Sequence, residues 1–117
     1  MSTVSVTWFD SDAVWRAVEA YANALVGGRP DIEEIRVFGS LVNGTAVPGS
    51  DVDLLIILSA SDRPFLDRIP AFLPGAFPCP VDVFPYTSAE IARMTSEGNT
   101  LIAAALRDGR TIFRRSA

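Results

Sequence analysis

Five consecutive aliphatic residues, Leu54-Leu55-Ile56-Ile57-Leu58, leave a strand with no polar face, and such a strand is stable only where both of its faces are covered. The run therefore predicts a central strand in a layered fold, with helices on either side of a sheet. The head of the run has the opposite character. Asp51 and Asp53 open it, and because strand side chains alternate faces, residues at i and i+2 point the same way. A carboxylate inside an apolar strand costs roughly several kcal/mol unless donors or a cation compensate it. Two on one face, close enough to share one or two hard cations, outline a metal site.

A second element lies just upstream. Ile35, Val37 and Phe38 read as a strand over residues 34–38 that ends at Gly39-Ser40, where a short helix can begin. Gly39 permits a positive φ or a close backbone approach, and Ser40 offers an N–H and a hydroxyl, so phosphate binds well at such a place. Taken singly, Gly39 is an ordinary strand-ending glycine, Ser40 an ordinary helix cap, and the aspartates ordinary turn and ion-pair residues. Their combination shifts the reading toward phosphate on one lip and metal on the other. Asn43-Gly44 and Pro48-Gly49 mark the turns that return the chain, and a connection this short makes the two strands antiparallel. Further on, Val81-Asp82-Val83-Phe84 sets one more acid in a β-branched and aromatic run.

Gly39-Ser40, ten intervening residues and Asp51-Val52-Asp53 together resemble the signature of the polymerase-β-like nucleotidyltransferase superfamily, especially its minimal nucleotidyltransferase (MNT) branch. The resemblance covers roughly residues 32–86. It implies an α/β (α+β) nucleotidyltransferase fold, a small mixed sheet flanked by helices. It also implies that Asp82 is the family's third carboxylate. The implied activity moves a nucleoside monophosphate, AMP from ATP, onto an acceptor hydroxyl. Asp51 and Asp53 would hold two Mg²⁺ ions, Gly39 and Ser40 would seat the outer phosphates, and Asp82 would ligate the ion that activates the acceptor and take its proton. Domains of this branch are typically partnered with a small helical HEPN-type toxin and act as its antitoxin. The pattern departs at one point: relatives often carry a basic residue after the Gly-Ser, whereas this chain has Leu41, Val42 and Asn43. Either a distant arginine such as Arg36, Arg63 or Arg110 compensates, or turnover is weak or absent.

Composition narrows the remaining choices. The chain of 117 residues, 49% hydrophobic, is read as a single domain over residues 1–117 with its acceptor supplied by a partner or by a homo-oligomer. Histidine and lysine are both absent. That removes Ser-His-Asp and Cys-His machinery, imidazole metal sites, Schiff-base chemistry and a Walker-type lysine, leaving carboxylate and metal chemistry. Ten arginines against fourteen acids give a net charge of −4, so direct nucleic-acid binding is not expected. A lone Cys79, read as a small buried hydrophobe, and an N-terminus without signal-peptide regions point to a cytoplasmic protein without a membrane span.

Elsewhere the chain reads as helices around the sheet. Asp10 or Ser11 caps a helix whose apolar positions Val14, Val18, Tyr21, Ala22 and Leu25 recur at helical spacing up to Gly27-Gly28. Residues 62–73 are weakly helical and interrupted by Pro70, and residues 74–80 form a proline-rich connection. Thr87-Ser88-Ala89-Glu90 is a capping box that opens a helix reaching about Glu97. Asn99 or Thr100 caps another over residues 101–107, and residues 111–113 form a short edge strand. Arg107, Arg110, Arg114 and Arg115 read as a solvated or partner-facing cluster, and Trp8, Trp15, Phe65, Phe72 and Phe77 as core or interface residues. Two other functions stay open: a non-catalytic module of the same fold that neutralises a partner by contact, and a small-molecule nucleotidyltransferase.

Overall fold

The computed structural model describes residues 10–116, so the readings made on residues 1–9, Trp8 among them, lie outside the described residues. The first helix, α1 (Ser11–Gly27), begins where expected: the Asp10 side chain accepts the Ala13 N–H at 3.0 Å, and Gly28 turns its own N–H back onto the Leu25 and Val26 carbonyls. Val14, Val18 and Ala22, four residues apart, are its buried stripe.

The sheet has four strands, β1 (Ile32–Phe38), β2 (Val52–Leu58), β3 (Val81–Thr87) and β4 (Arg110–Arg114), in the spatial order β3-β2-β1-β4. β1 runs antiparallel to both of its neighbours, while β2 and β3 are parallel. The aliphatic run of β2 is central, as its lack of a polar face demands: Val52, Leu54, Leu55, Ile56 and Leu58 are each no more than 1% exposed.

Strand alternation splits the core in two. Val52, Leu54, Ile56 and Leu58 join Ile35, Val37 and Val83 beneath α1 and Phe72. Leu55 and Phe38 face the other way and pack with Ile91 of α4 (Ser88–Ser96) and with Ile102 and Ala105 of α5 (Thr100–Asp108). Layers of helix on both faces of a mixed sheet make this an α/β fold of the expected kind. Among the described residues no helix is long and apolar enough to cross a membrane.

Two elements depart from expectation. The helix between the parallel strands, α3 (Phe65–Phe72), continues through Pro70 instead of breaking there. Proline removes only the bond that would reach the carbonyl of Leu66, a residue 73% exposed whose carbonyl water can satisfy. Burial of Phe72 and Arg68, with the Tyr21 hydroxyl donating to the Phe72 carbonyl at 2.5 Å, holds the last turn in place. The C-terminal arginines, in turn, form no cluster. Arg107 pairs with Asp108, Arg114 with Glu34, and Arg115 donates to the Ile32 and Arg29 carbonyls. Arg107 belongs to α5 and Arg115 lies past β4, while the register shift of β4 against β1 turns Arg110 and Arg114 to opposite faces.

The far end of the sheet is fastened by a buried ion pair. Arg68, 5% exposed, forms a two-bond pair with Glu90 at 2.6 and 3.0 Å and donates to the carbonyls of Pro85 and Arg63. Pro85 sits in the edge strand β3, where its missing N–H breaks no ladder bond, and its carbonyl is taken by Arg68. Glu90 also closes the Thr87 capping box, which ties β3, α3 and α4 into one joint. Hydrogen bonding to Arg68 holds the Glu90 carboxyl down at about 2, against an ordinary 4.5. A depressed carboxyl contributes stability above its ordinary value and loses it as pH falls toward the folded one. Denaturant unfolding should therefore show stability declining from pH 4.5 toward 2. Glu90→Gln, which strands the Arg68 charge, should cost about 3 kcal/mol at pH 7 and flatten that decline. A variant as stable as the native chain would show that the pair is not what holds this joint.

Candidate active site

The signature residues Gly39, Ser40, Asp51, Asp53 and Asp82 lie at the opposite end, where β1 finishes and β2 and β3 begin. Asp53 stands in register with Asp82 on the neighbouring parallel strand and with Phe38 on the antiparallel one. Asp53 and Asp82 extend the rows that continue through Leu55 and Phe84, so they lie on one face, just past the cover given by α5. The Phe38 and Phe84 rings, 5.5 Å apart, meet across β2 beside them. Asp51, one residue before β2 begins, is near enough to raise the energy of an ionised Asp53.

The loop from β1 is shaped around that carboxylate. Gly39 has φ 83° and ψ −150°, a conformation that L side chains rarely adopt. A Cβ built on Gly39 would stand 2.5 Å from Oδ2 of Asp53, so any other residue here would push that carboxylate aside. Of the two reasons offered for a glycine here, the positive φ is realised, and the close neighbour is the Asp53 carboxylate. Ser40 then opens α2 (Ser40–Asn43), a single turn that Leu41 anchors in the core and Gly44 ends in the left-handed conformation. Gly49, with φ 90°, completes the Pro48-Gly49 turn, in which the Ser50 N–H bonds the Val47 carbonyl at 2.9 Å.

Burial raises the Asp53 carboxyl to about 6 from an ordinary 3.8, with the nearby charges of Asp82 and then Asp51 adding to it. Cys79, partly buried in the loop leading to β3, has its thiol pushed up by burial and by Asp51, which keeps it a packing residue rather than a nucleophile. The donor set consists of hard carboxylate oxygens, and its mutual repulsion is what a hard divalent cation would relieve. Among the described residues no three Asp, Glu or Cys side chains are already gathered into a ligand cage. Asp51, Asp53 and Asp82, expected to share the metal, are thus not drawn into one three-carboxylate ligand set.

The three arginines proposed to compensate for Leu41, Val42 and Asn43 part company here. Arg36 is spent on Glu34 and on the carbonyls of Leu106 and Gly109. Arg63 lines a cleft with Arg29, Asp31 and Leu58 at the other end of the sheet. Arg110 opens β4 opposite Val37, at the same end as the aspartates. Its guanidinium lies 4.5 Å over the ring of Trp15, a contact between residues 95 positions apart that no local pattern announces. Trp15, Phe72 and Phe77 all pack against the core, and Phe65 stacks on Tyr86 at 4.4 Å.

The sequence profile of the nucleotidyltransferase domain family matches residues 21–102, a span that includes Gly39, Ser40, Asp51, Asp53 and Asp82. No curated protein matches the chain in sequence. Among solved structures, a protein of Sulfolobus solfataricus described as a candidate nucleotidyltransferase aligns with a TM-score of 0.65 at 19% identity, over 90% of this chain and 84% of that one. A toxin-antitoxin complex with AMP-PNP aligns with a TM-score of 0.57 at 19% identity, over 84% and 74%. A mutant MntA-HpeT toxin-antitoxin gives 0.56 at 15%, with the same coverage. At these identities the likeness is one of fold.

A carboxyl whose folded value lies above its ordinary one opposes folding once ionised, and the opposition grows as pH rises from 3.8 through about 6. Without divalent metal, Asp53→Asn should therefore be the more stable protein at pH 7.5, by about 1–2 kcal/mol after solvent screening. The gain should shrink to nothing by pH 4. Millimolar Mg²⁺ should raise the melting midpoint of the native chain and leave the variant unmoved. A native midpoint indifferent to Mg²⁺ and Mn²⁺ would count against a metal at this site.

Proposed function

The chain belongs to the nucleotidyltransferase domain family, and from that premise we propose that it transfers AMP from ATP, with divalent metal, to a hydroxyl on a partner protein. The observation that carries the reading is the in-register placement of Asp53 and Asp82 on adjacent strands, with Gly39, at a positive φ, set against the Asp53 carboxylate. Bound Mg²⁺ would supply charge neutralisation at the transferring phosphate and acidify the acceptor hydroxyl. Asp51 and Asp53 would hold the ions. The N–H and hydroxyl of Ser40 seat the outer phosphates, with the Gly39 backbone leaving them room. Asp82, exposed at the start of β3, faces the acceptor and takes its proton. The acceptor oxygen then bonds to the α-phosphorus, the bond to the bridging oxygen breaks, and pyrophosphate departs.

A protein acceptor and an antitoxin role are supported by the two toxin-antitoxin structures of similar fold, one of them described with AMP-PNP. The partner class we infer is a small helical HEPN-type toxin, modified in the cytoplasm. The second reading, neutralisation by contact alone, is favoured by one feature: residues 41–43 of the motif loop bring no positive charge to a triphosphate.

Asp82→Asn separates the two readings. Its shape is conserved, so partner binding should persist in size-exclusion chromatography while transfer falls by about two to four orders of magnitude. Toxin neutralisation should fall with it, and intact-mass spectrometry of toxin co-expressed with the native chain should show an added AMP. Full neutralisation by the variant, with no adduct on toxin made beside the native chain, would overturn transfer in favour of contact.

A further inference from the structure

Among the described residues the sheet ends in an open edge. β4 bonds only β1, so about half of the N–H and C=O groups along Arg110–Arg114 point away from the sheet. The side-chain bonds of the strand do not cover that edge: Thr111 and Arg114 reach back to Glu34 on β1, and Arg110 lies over Trp15 of α1. Ile112 and Phe113 are only partly buried against the core. The opposite edge, β3, is blunted by Pro85, whereas β4 contains no proline.

A segment of matching character is tethered beside this edge. Asp10 caps α1, and Trp15, early in that helix, meets Arg110, the first residue of β4. Ser11 and Trp15 also line a cleft of about 240 Å³ with Leu41, Gly44 and Ala46, which sets the start of α1 at the Gly39 end of the sheet. In the sequence before Asp10, Val4, Val6 and Trp8 alternate with Thr3, Ser5 and Thr7, without a charge, a glycine or a proline. That is the pattern of a strand with one apolar and one polar face. Fully extended, residues 1–9 reach about 30 Å, against about 17 Å for β4, so the segment can cross from α1 to the edge and still follow its length.

We propose that residues 3–7 add to β4 as a fifth strand, antiparallel to it, with Trp8 and Phe9 forming the link to α1. The direction follows from the tether: the segment ends beside Arg110, where β4 begins, so the two strands run opposite ways. Val4 and Val6 then turn to the α1 face, where Phe113 already packs, and Thr3, Ser5 and Thr7 to the face of Thr111 and Arg114. A second copy is the poorer occupant. Antiparallel pairing of two β4 strands sets Arg110 of each against Arg114 of the other, and like charges directly opposite are destabilising. Residues 3–7 bring no charge, and their covalent tether makes the pairing intramolecular. The pairing also withdraws two aggregation hazards together, an open edge and an uncharged β-prone segment.

Residue-resolved hydrogen exchange and nuclear Overhauser contacts in the full chain test the fifth strand. Contacts between residues 3–7 and 110–114 are expected, in antiparallel order and unchanged on dilution. The amides of residues 3–7 that face β4 should exchange at least roughly tenfold more slowly than in a free peptide, as fits a strand at the low end of the stability range. Alternate N–H groups of the new strand face β4, so one of Ser5→Pro and Val6→Pro must break a ladder bond. That variant should lower protection of the outward β4 amides by roughly tenfold and leave those of β2 unchanged. Peptide-like exchange of residues 3–7 in the native chain, or β4 protection indifferent to both variants, would overturn the proposal. So would contacts of residues 3–7 with another element, such as the groove of Ala20, Leu25, Leu73 and Phe77 beside α1. Protection that grows with protein concentration would overturn it in favour of a second copy.

Discussion

Ionised carboxylates at the head of a buried strand are the constraint on which the rest of this molecule turns. Asp53 belongs to a strand whose neighbours in sequence are fully buried, and it stands beside Asp82 with Asp51 close by. Folding these charges together is unfavourable, as the upward displacement of the Asp53 carboxyl shows. They persist because the residues that fix them are held elsewhere. Val52 and Leu54, on either side of Asp53, are locked into the α1 face of the core, and Phe38 opposite it into the α5 face. A side chain whose backbone is pinned on both faces cannot swing away to relieve repulsion, so Asp53 takes up a proton more readily, and in the function proposed above a bound cation would give the same relief.

The structure divides its labour between the two ends of the sheet. At the Leu58 end, charges are paired: Arg68 with Glu90, Arg29 with Asp31, and Ser88 with Glu33 and the Leu58 carbonyl. A cleft of about 650 Å³ opens there, lined by the Arg29–Asp31 pair, by Arg68 and by Asp62, Arg63 and Asp67, and it holds none of the residues that carry the family signature. At the Gly39 end, Asp53 has no cationic partner among the described residues, and the charges of Asp82 and Asp51 oppose its ionisation. One end supplies stability and the other spends it on a prepared electrostatic site, the arrangement that catalysis by charge stabilisation requires.

Much of this was legible in the sequence, for reasons that differ by element. The β2 strand was readable because an unbroken aliphatic run has only one comfortable environment. The ends of α1 and α4 were readable because capping is a local event: Asp10, Thr87 and Glu90 make the bonds that their spacing suggests. Gly39, Asp53 and Asp82 come together because a short loop folds β2 back on β1 and a crossover through α3 sets β3 parallel beside β2. What escaped is what the fold joins over long separations. Pro70 looked like a break, since the burial of Phe72 and the Tyr21 bond to its carbonyl are tertiary effects. The arginines at the C-terminus looked like one group, since it is their division between α5 and β4, with the β4 register, that scatters them. Arg68 gave no sign that it would be buried, because its partner Glu90 was already accounted for by the capping box.

The most direct test of a metal-loaded nucleotidyl-transfer site is a count of bound ions. Electron paramagnetic resonance of Mn²⁺ titrated into the protein with a non-hydrolysable ATP analogue reads that count without any partner. Two ions bound per chain, with the analogue bringing them close enough to couple, and loss of both in Asp53→Asn, is the result that the proposed transfer mechanism predicts. Mn²⁺ that stays free in the presence of the analogue, or binds equally to Asp53→Asn, would contradict it.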